Sequence, residues 1–444
     1  MWKQYPKSKR LFEEARKTVA SGVATLVQSR TEPHPIFMAQ GKGSRLYDED
    51  GNEYIDYLLN YGPAILGHAP DAVNLALERQ LRLGYAYGQP HRLQQELAKS
   101  LIDCVPAYEM VNFSNTGTEA VQASLNAARA ATRKTRFIKF EGQYHGWMDN
   151  IFVSFFPVPG EDPGPSDRPR AVRHLRACGR PAGILNDMIV LPWNDLAAVE
   201  RTLETDRDVA AIITEPIMNN CGVIMPRPGY LEGLRALCDR RGVMLIFDEV
   251  ITGQRVALGG GQELFGVTPD ISCGSKAIGG GFPIMAFGGR KDVMKVVAEG
   301  LTLHSGTFNG NAVCCAAALA VMAELTADNA AAILRINTLG GHLRDGLAAT
   351  AKKHGFKVVV EGPGAAFCLS FRESAPWDMR SAFQQPHDVR KYLTFRRLLL
   401  DRGVHIFPID KRPWYTSAAH TEEDIEETLR VADEAFSILK TIPG

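Results

Sequence analysis

The chain has 444 residues, of which 45% are hydrophobic and 23% charged, and its lysines plus arginines equal its aspartates plus glutamates at 50 each. That leaves room for one large two-part globule or two to three domains with a sizeable core, and the zero formal charge excludes the basic excess that nucleic acid or an anionic membrane surface would require. The 8 cysteines are scattered without a C-x-x-C pair, which favours buried free thiols in a reducing compartment over disulfides or a zinc site.

The amino-terminal stretch MWKQYPKSKRLFEEARKTV is charged and amphipathic, carries Glu13-Glu14 and lacks the apolar core of a signal peptide. No uninterrupted apolar run approaches membrane-spanning length. A cytoplasmic protein with no nucleic-acid or membrane partner is expected. Residues 8–19 read as a helix with Leu11, Ala15 and Val19 on one face. Residues 36–38 and 45–57 read as short antiparallel strands, with turn chemistry in Asp48-Glu49-Asp50-Gly51-Asn52. Helices are expected at 71–82 and 91–103.

A strand at 110–113 enters Ser114-Asn115-Thr116-Gly117-Thr118-Glu119-Ala120 and then an alanine-rich helix reaching 131. The first amides of a helix have no internal partners and its dipole favours an anion there, so strand, small polar turn and helix make a phosphate cradle. Gly117 permits close backbone approach and Thr118 adds a hydroxyl. The same pattern also serves as a plain helix cap. The next strand, 137–140, leads to Gly142-Gln143-Tyr144-His145-Gly146-Trp147. Residues 156–183 are rich in proline, glycine and arginine and read as a long surface loop; its basic cluster at 168–180 suits an anionic substrate or, more simply, a solvated face. Strands at 189–191 and 209–214 flank a helix at 195–204 in a βαβ rhythm. The second of them ends in Thr214-Glu215-Pro216-Ile217-Met218-Asn219-Asn220-Cys221-Gly222. A helix at 229–241 follows.

Residues 243–290 are the centre of the chain. The apolar run 243–247 reads as a strand buried on both faces, and it ends in Asp248 and Glu249. Open α/β sheets place ligands at such strand ends. Further on, Lys276 is the one charge between Asp270 and Arg290. A lysine among small and apolar residues loses hydration of its ammonium, which lowers its pKa and exposes a nucleophilic amine suited to Schiff-base chemistry. An aspartate at a strand end and a desolvated lysine are what pyridoxal 5'-phosphate needs: an amine to hold its aldehyde and a carboxylate to keep its ring nitrogen protonated. Taken singly, either residue could be a capping aspartate or a helix-flanking lysine. Beyond Arg290 come a helix to 299, the loop His304-Ser305-Gly306-Thr307-Phe308-Asn309-Gly310-Asn311, and helical patterns over 311–353. Strands near 356–360, 366–371 and 404–407 follow, and Thr421-Glu422-Glu423-Asp424 opens a closing helix.

The wording of IFDEV-TG-RVA-GG-QE-FGVTPD, then the lysine and IGGG-P--A-GGR, together with LYDEDGNEYIDYLLNYGPAILGHAPDAV, resembles the class III pyridoxal phosphate aminotransferases. Within that family it is most similar to members of the glutamate-1-semialdehyde 2,1-aminomutase type, over nearly the whole chain. The resemblance implies an α/β fold of type I, with a mostly parallel seven-stranded sheet in a large domain and a smaller α+β domain. Residues 1–70 would pack with the small domain, 71–315 would form the large domain and 316–444 the small one. It also implies pyridoxal 5'-phosphate as cofactor, with Lys276 and Asp248 catalytic. Thr116, Gly117 and Thr118 would hold the phosphate, Tyr144 would stack on the ring, and Glu215, Asn220 and Val250 would complete the cofactor contacts. His145 is read as a supporting or structural residue, and no metal is implied. The long loop matches an active-site lid. Thr307 would reach the cofactor of a neighbouring subunit, which makes a homodimer.

Two departures bear on the reaction. Aligning Ser21-Gly22-Val23-Ala24-Thr25-Leu26-Val27 places Gln28 where the aminomutases carry an arginine for the substrate carboxylate, with Arg30 two residues on. Near the carboxyl end, Lys411-Arg412-Pro413-Trp414-Tyr415 stands where they read F-E-A-G-F, so Arg412 replaces a glutamate. Both changes, and more weakly Trp147, favour an aminotransferase that passes the amino group through pyridoxamine phosphate, from a carboxylate-bearing amine (a β-amino acid among the candidates) to a keto acid or aldehyde. Arg30, Arg412 and Trp147 are the candidate substrate contacts. The alternatives are the aminomutase itself and, from a different class, a non-catalytic cofactor-binding protein.

Overall fold

The computed structural model describes residues 2–157, 161–165, 169–172, 182–274 and 276–442. Most of the basic loop read as a lid, and Ser275, therefore lie outside the described residues. In chain order the described strands are β1 (Met38–Lys42), β2 (Arg45–Asp48), β3 (Glu53–Asp56), β4 (Met110–Ser114), β5 (Arg136–Phe140), β6 (Met188–Leu191), β7 (Val209–Thr214), β8 (Met244–Asp248), β9 (Ile271–Cys273), β10 (Met285–Gly289), β11 (Val359–Glu361), β12 (Ala366–Ser370), β13 (Val404–His405) and β14 (Trp414–Tyr415). The chain divides into two units, one of Met1–Asp71, Leu334–Ala375 and Pro386–Gly444, the other of Ala72–Ile333 and Pro376–Gln385. The larger unit thus runs past the boundary expected at 315 and also takes in a ten-residue return segment that no sequence signal marked.

In the larger unit the sheet order is β4-β10-β9-β8-β7-β5-β6. Strands β5 to β9 pair in parallel, and β10 is antiparallel to both β9 and β4. Every residue of β7 is buried, and so are the last four of β8, as continuous apolar runs covered on both faces must be. Alternate residues serve opposite faces. Phe137, Ala211, Ile213 and Ile246 pack with Ala120, Val121 and Leu125 of the helix Gly117–Thr132. Ile138, Phe140, Ile212, Leu245 and Phe247 pack with Leu231, Leu234 and Leu237 of the helix Tyr230–Arg241. Strand β10 carried no readable pattern because its sequence is MAFGG. Its glycines answer to backbone crowding: a Cβ on Gly289 would lie 2.2 Å from the Asp270 carbonyl oxygen.

The smaller unit holds two sheets, β1-β2-β3-β13 and β11-β12-β14. Its core is aromatic, with Phe371, Phe395, Phe436 and Trp414 buried among Leu343, Leu347 and Leu399. The first helix covers Pro6–Ala15, four residues short of expectation, and Val19 is 43% exposed. The closing helix Glu422–Leu439 starts at Thr421, whose side chain accepts from the Asp424 amide while Asp424 returns the bond. Helices at Gly261–Phe265, Met379–Gln384 and Val389–Leu400 were not anticipated.

The helical run Ala312–Lys353 holds an 18-residue window with a mean hydropathy of 1.4, long and apolar enough to cross a membrane by length and composition alone, although Glu324 and Asp328 interrupt its apolar residues. Its conformation breaks at Ala327–Ala330, where four residues leave helical φ/ψ. Before the break, Cys315, Ala318 and Met322 recur at helical spacing against Ile278, Ile284 and Ala286 in a buried cluster. That is the pattern of a core helix. Among the described residues all seven cysteines are free thiols.

Candidate active site

The carboxyl ends of the parallel strands of the larger unit converge on one cavity of about 220 Å³. Gly117, Thr118, Tyr144, His145, Gly146, Glu215, Asn220, Asp248, Val250, Ile251, Lys276 and Met285 line it. Strand β4 ends at Ser114, and the turn beyond it is locked by a capping box. Thr116 Oγ1 accepts from the Glu119 amide at 3.2 Å, and Glu119 Oε2 accepts from the amides of Thr116 and Asn115 at 3.0 and 2.8 Å. The box brings Gly117 and Thr118, the first residues of the helix, to the cavity wall. Strand β5 delivers Tyr144 and His145 through the turn that follows Phe140, and β7 delivers Glu215. Strand β8 ends on Asp248 itself. Lys276 follows β9, and its amide donates to the Val250 carbonyl at 2.9 Å.

Asp248 is 5% exposed and His145 1%. His145 Nδ1 lies 2.8 Å from Asp248 Oδ2, while Asp248 Oδ1 accepts from the Val250 amide at 3.0 Å. Burial holds the His145 pKa below the ordinary imidazole value, against the opposing pull of Asp248. A neutral imidazole then donates from Nδ1, and its buried Nε2 has no hydrogen-bond partner among the described residues. Glu215 is fully buried. Burial first, then the charge of Asp248, pushes its pKa up to about 7 against the bonds from the Asn219 and Tyr144 amides. Those bonds, at 2.9 and 2.7 Å, tie Glu215 to the same turn that carries Tyr144. The Tyr144 ring packs against Phe155 and Phe152, with centroids 5.0 and 6.0 Å away.

Of the residues singled out from sequence, Gly117, Thr118, Tyr144, Glu215, Asn220, Asp248, Val250 and Lys276 meet around this cavity. Thr116 stands one position outside its lining, with its hydroxyl spent on the cap. Trp147 is 71% exposed and Thr307 is exposed on the same unit, and neither lines the cavity. Arg30 closes the short turn Gln28–Arg30 in the smaller unit. Arg412, in the same unit, is half-buried with its guanidinium 5.9 Å from the Phe407 ring centroid. His145, read from sequence only as a supporting or structural residue, lies in the turn beyond β5 and lines the cavity beside Tyr144. Ile251 and Met285 were missed because isolated apolar residues carry none.

Comparison with known proteins gives one consistent neighbourhood. The family described as Aminotransferase class-III matches residues 26–436. The glutamate-1-semialdehyde 2,1-aminomutase 2 of Brevibacillus brevis (strain 47 / JCM 6285 / NBRC 100599) is 39% identical over 434 residues, covering 97% of this chain and 98% of that protein. Among solved structures, an omega-transaminase from Sphaerobacter thermophilus superposes with a TM-score of 0.89 at 33% identity, covering 97% of both chains. A transaminase with PLP bound superposes with a TM-score of 0.87 at 27% identity, covering 99% of both.

Proposed function

The chain belongs to the class III aminotransferases, and on that premise we propose that it moves an amino group from a carboxylate-bearing amine to a keto acid or aldehyde. Its cofactor is pyridoxal 5'-phosphate. The donor set of the cavity fits that group. Gly117 and Thr118 at a helix start suit the phosphate. A Cβ on Gly117 would press to 3.1 Å from Val250 Cγ2, so a larger residue would narrow the cradle. Asp248, buried and anchored by His145, suits a protonated ring nitrogen.

Bound there, the cofactor supplies an aldehyde for amines and a ring that accepts the electron pair left when a proton departs from carbon. Lys276 Nζ is the amine that would hold the aldehyde at rest. Freed by the substrate amine, the same Nζ would be the group to take the proton from the carbon beside the substrate nitrogen and to give it back. Asp248 would hold the ring nitrogen, His145 orients Asp248, and Tyr144 would lie against the ring. The observation that carries this reading is the meeting of Lys276, Asp248 and the Gly117-Thr118 turn in one cavity.

Arg412 is our candidate clamp for the substrate carboxylate, with Arg30 as helper and Trp147 as a further contact. A guanidinium matches a carboxylate bidentately, and Arg412 and Gln28 together change two positions of the aminomutase pattern. The aminomutase reading is favoured by the 39% identity to a protein of that name. One assay separates them: the mutase converts glutamate 1-semialdehyde to 5-aminolevulinate without a keto acid, and a transaminase requires one. Arg412→Ala should raise KM for a carboxylate-bearing donor while sparing phenylethylamine, because an unpaired partner charge in a closed site costs about 2–5 kcal/mol. Equal losses on both donors make Arg412 structural.

We also propose a homodimer in which Thr307 reaches the neighbouring subunit's cofactor. Thr307 sits in a stretch where Leu301, Leu303 and Phe308 are 67%, 84% and 68% exposed, a cost that association would remove. Mixing Lys276→Ala chains with Thr307→Ala chains should restore activity through hybrid dimers; an active monomer at high dilution refutes the arrangement.

A further inference from the structure

Lys139 lies inside strand β5, between Ile138 and Phe140, and is 0% exposed. Burying a lysine in the middle of a parallel sheet is expensive unless its ammonium is fully bonded. Here Nζ donates to three carbonyls: Gln143 at 3.2 Å, Ile151 at 3.4 Å and Val153. No carboxylate lies within ion-pair distance of it among the described residues. The three acceptors belong to two arms of one loop. Gln143 precedes Tyr144 and His145, while Ile151 and Val153 flank Phe152, whose ring packs against Tyr144. One ammonium therefore fastens both arms of the loop that carries the cavity-lining Tyr144 and the partner of Asp248. The Gln143 side chain extends the connection, its Oε1 accepting from the Glu215 amide at 3.1 Å and its Nε2 donating to Thr214 Oγ1 at 3.0 Å.

We propose that Lys139 is a positioning residue: its ammonium holds both arms of the loop that carries Tyr144 and His145, and so keeps His145 in place on Asp248 and its own charge in reach of that pair. Electrostatics agree with the geometry. Burial lowers the Lys139 pKa to about 7, with Glu215 the foremost of the groups opposing it, then Cys221 and Glu141. The Lys139 charge adds to the burial that lowers the His145 pKa, against Asp248. An apolar residue at 139 could fill the strand position but would take this donor away from the Gln143, Ile151 and Val153 carbonyls, so the ammonium serves the loop rather than the sheet.

The inference rests on the roles given above to His145 and Asp248, and the experiment separates the two. The holoenzymes of wild type, Lys139→Met, Lys139→Gln, His145→Asn and the double variants are titrated with pH, following the visible absorption band of the bound cofactor. A wild type that acquires no such band defeats the cofactor reading before Lys139 is tested. If the proposal holds, Lys139→Met moves the titration midpoint by about half a unit or more, and the shift largely disappears in the His145→Asn background, since linked residues give non-additive effects. Lys139→Gln, which keeps N–H donors without the charge, should hold cofactor more tightly than Lys139→Met and still show the shift. A folded Lys139→Met protein with an unmoved midpoint, or an equal shift in both backgrounds, overturns the proposal. Failure of both single variants at Lys139 to fold also overturns it, by making Lys139 a folding residue.

Discussion

Of the buried aspartates that end strands in this molecule, Asp56 and Asp248 each meet histidine. Asp56, at the end of β3 in the smaller unit, is 0% exposed. It accepts from His68 Nε2 at 2.8 Å, His405 Nδ1 at 2.9 Å, and the amides of Leu58 and Leu59 at 3.0 and 3.1 Å. Those amide bonds open a turn in which Leu59, Asn60 and Tyr61 all take positive φ, a conformation that must be held from outside. Asp248, at the end of β8, has one imidazole and one amide and faces a cavity. A carboxylate with four donors is finished, whereas one with capacity left beside a cavity awaits a ligand. Burial and strand position are the same in both; the count of donors separates structure from chemistry.

The largest expected effect lies on the unfinished side of that comparison. Lys276→Ala should lose at least about a thousandfold in turnover, the upper range for a positioned acid-base group. Borohydride reduction of the wild-type holoenzyme followed by peptide mapping should place the label on Lys276, and a label on another lysine would sink the assignment. Next, Asp248→Asn should cost about 3 kcal/mol in the chemical step, near a hundredfold, as for other charged or dipolar stabilisers of a transition state. Its melting temperature should move little by comparison. Near-normal turnover would remove Asp248 from the mechanism and erase the contrast with Asp56.

Asp56→Asn should do the reverse. An amide brings donors to a place already occupied by donors, and about 2 kcal/mol of stability should go with the lost bonds, while the bound-cofactor spectrum stays as in wild type. The His405 and His68 bonds outweigh the opposing effect of burial and hold the Asp56 pKa well below the usual carboxylate range. Its folded pKa is thus below its unfolded one. The stability it contributes is complete above an unfolded value of about 3.9 and is lost as pH falls from there toward the folded value. Acid titration of unfolding should therefore be less steep in Asp56→Asn than in wild type below about pH 4. An identical slope would mean that Asp56 is already protonated or that its partners are exchanged for water.

The same contrast explains what was legible in the sequence. The apolar runs of β7 and β8 and the strand, small polar turn and alanine-rich helix over 110–131 are local signals, and they predicted those strands and that helix within a residue or two. Asp248 could be placed because a strand end is a position in the sequence. The four donors of Asp56 come from residues as distant as His405, and no local pattern announces them. Strand β10 was silent for a related reason: MAFGG is shaped by the strands on either side of it, through the crowding at Gly289. Lys139 went unread because a lysine among Phe137, Ile138 and Phe140 looks like an edge-strand residue until three carbonyls are seen around it.

The smallest effect belongs to His145, and it tests whether the single imidazole at Asp248 acts as a cation or as a neutral donor. A buried imidazolium paired with Asp248 would be costly to remove, and His145→Asn would then be severe. Burial instead lowers the His145 pKa from its ordinary value, with Asp248 opposing, so the folded state favours the neutral ring. An asparagine amide nitrogen falls near the place of Nδ1 and can still donate to Asp248. The exchange should then cost about 1 kcal/mol, the net worth of an ordinary hydrogen bond, and turnover should fall by roughly tenfold or less. The lowered pKa also fixes a sign. The stability that comes from keeping His145 neutral is complete above its unfolded value of about 6.5 and is lost as pH falls from there toward the folded pKa. The gap in melting temperature between wild type and His145→Asn should accordingly narrow from about pH 7.5 to pH 5.5. A gap that widens over that interval would make His145 a cation bound to Asp248, and Asp248 would then be as fully committed within the protein as Asp56.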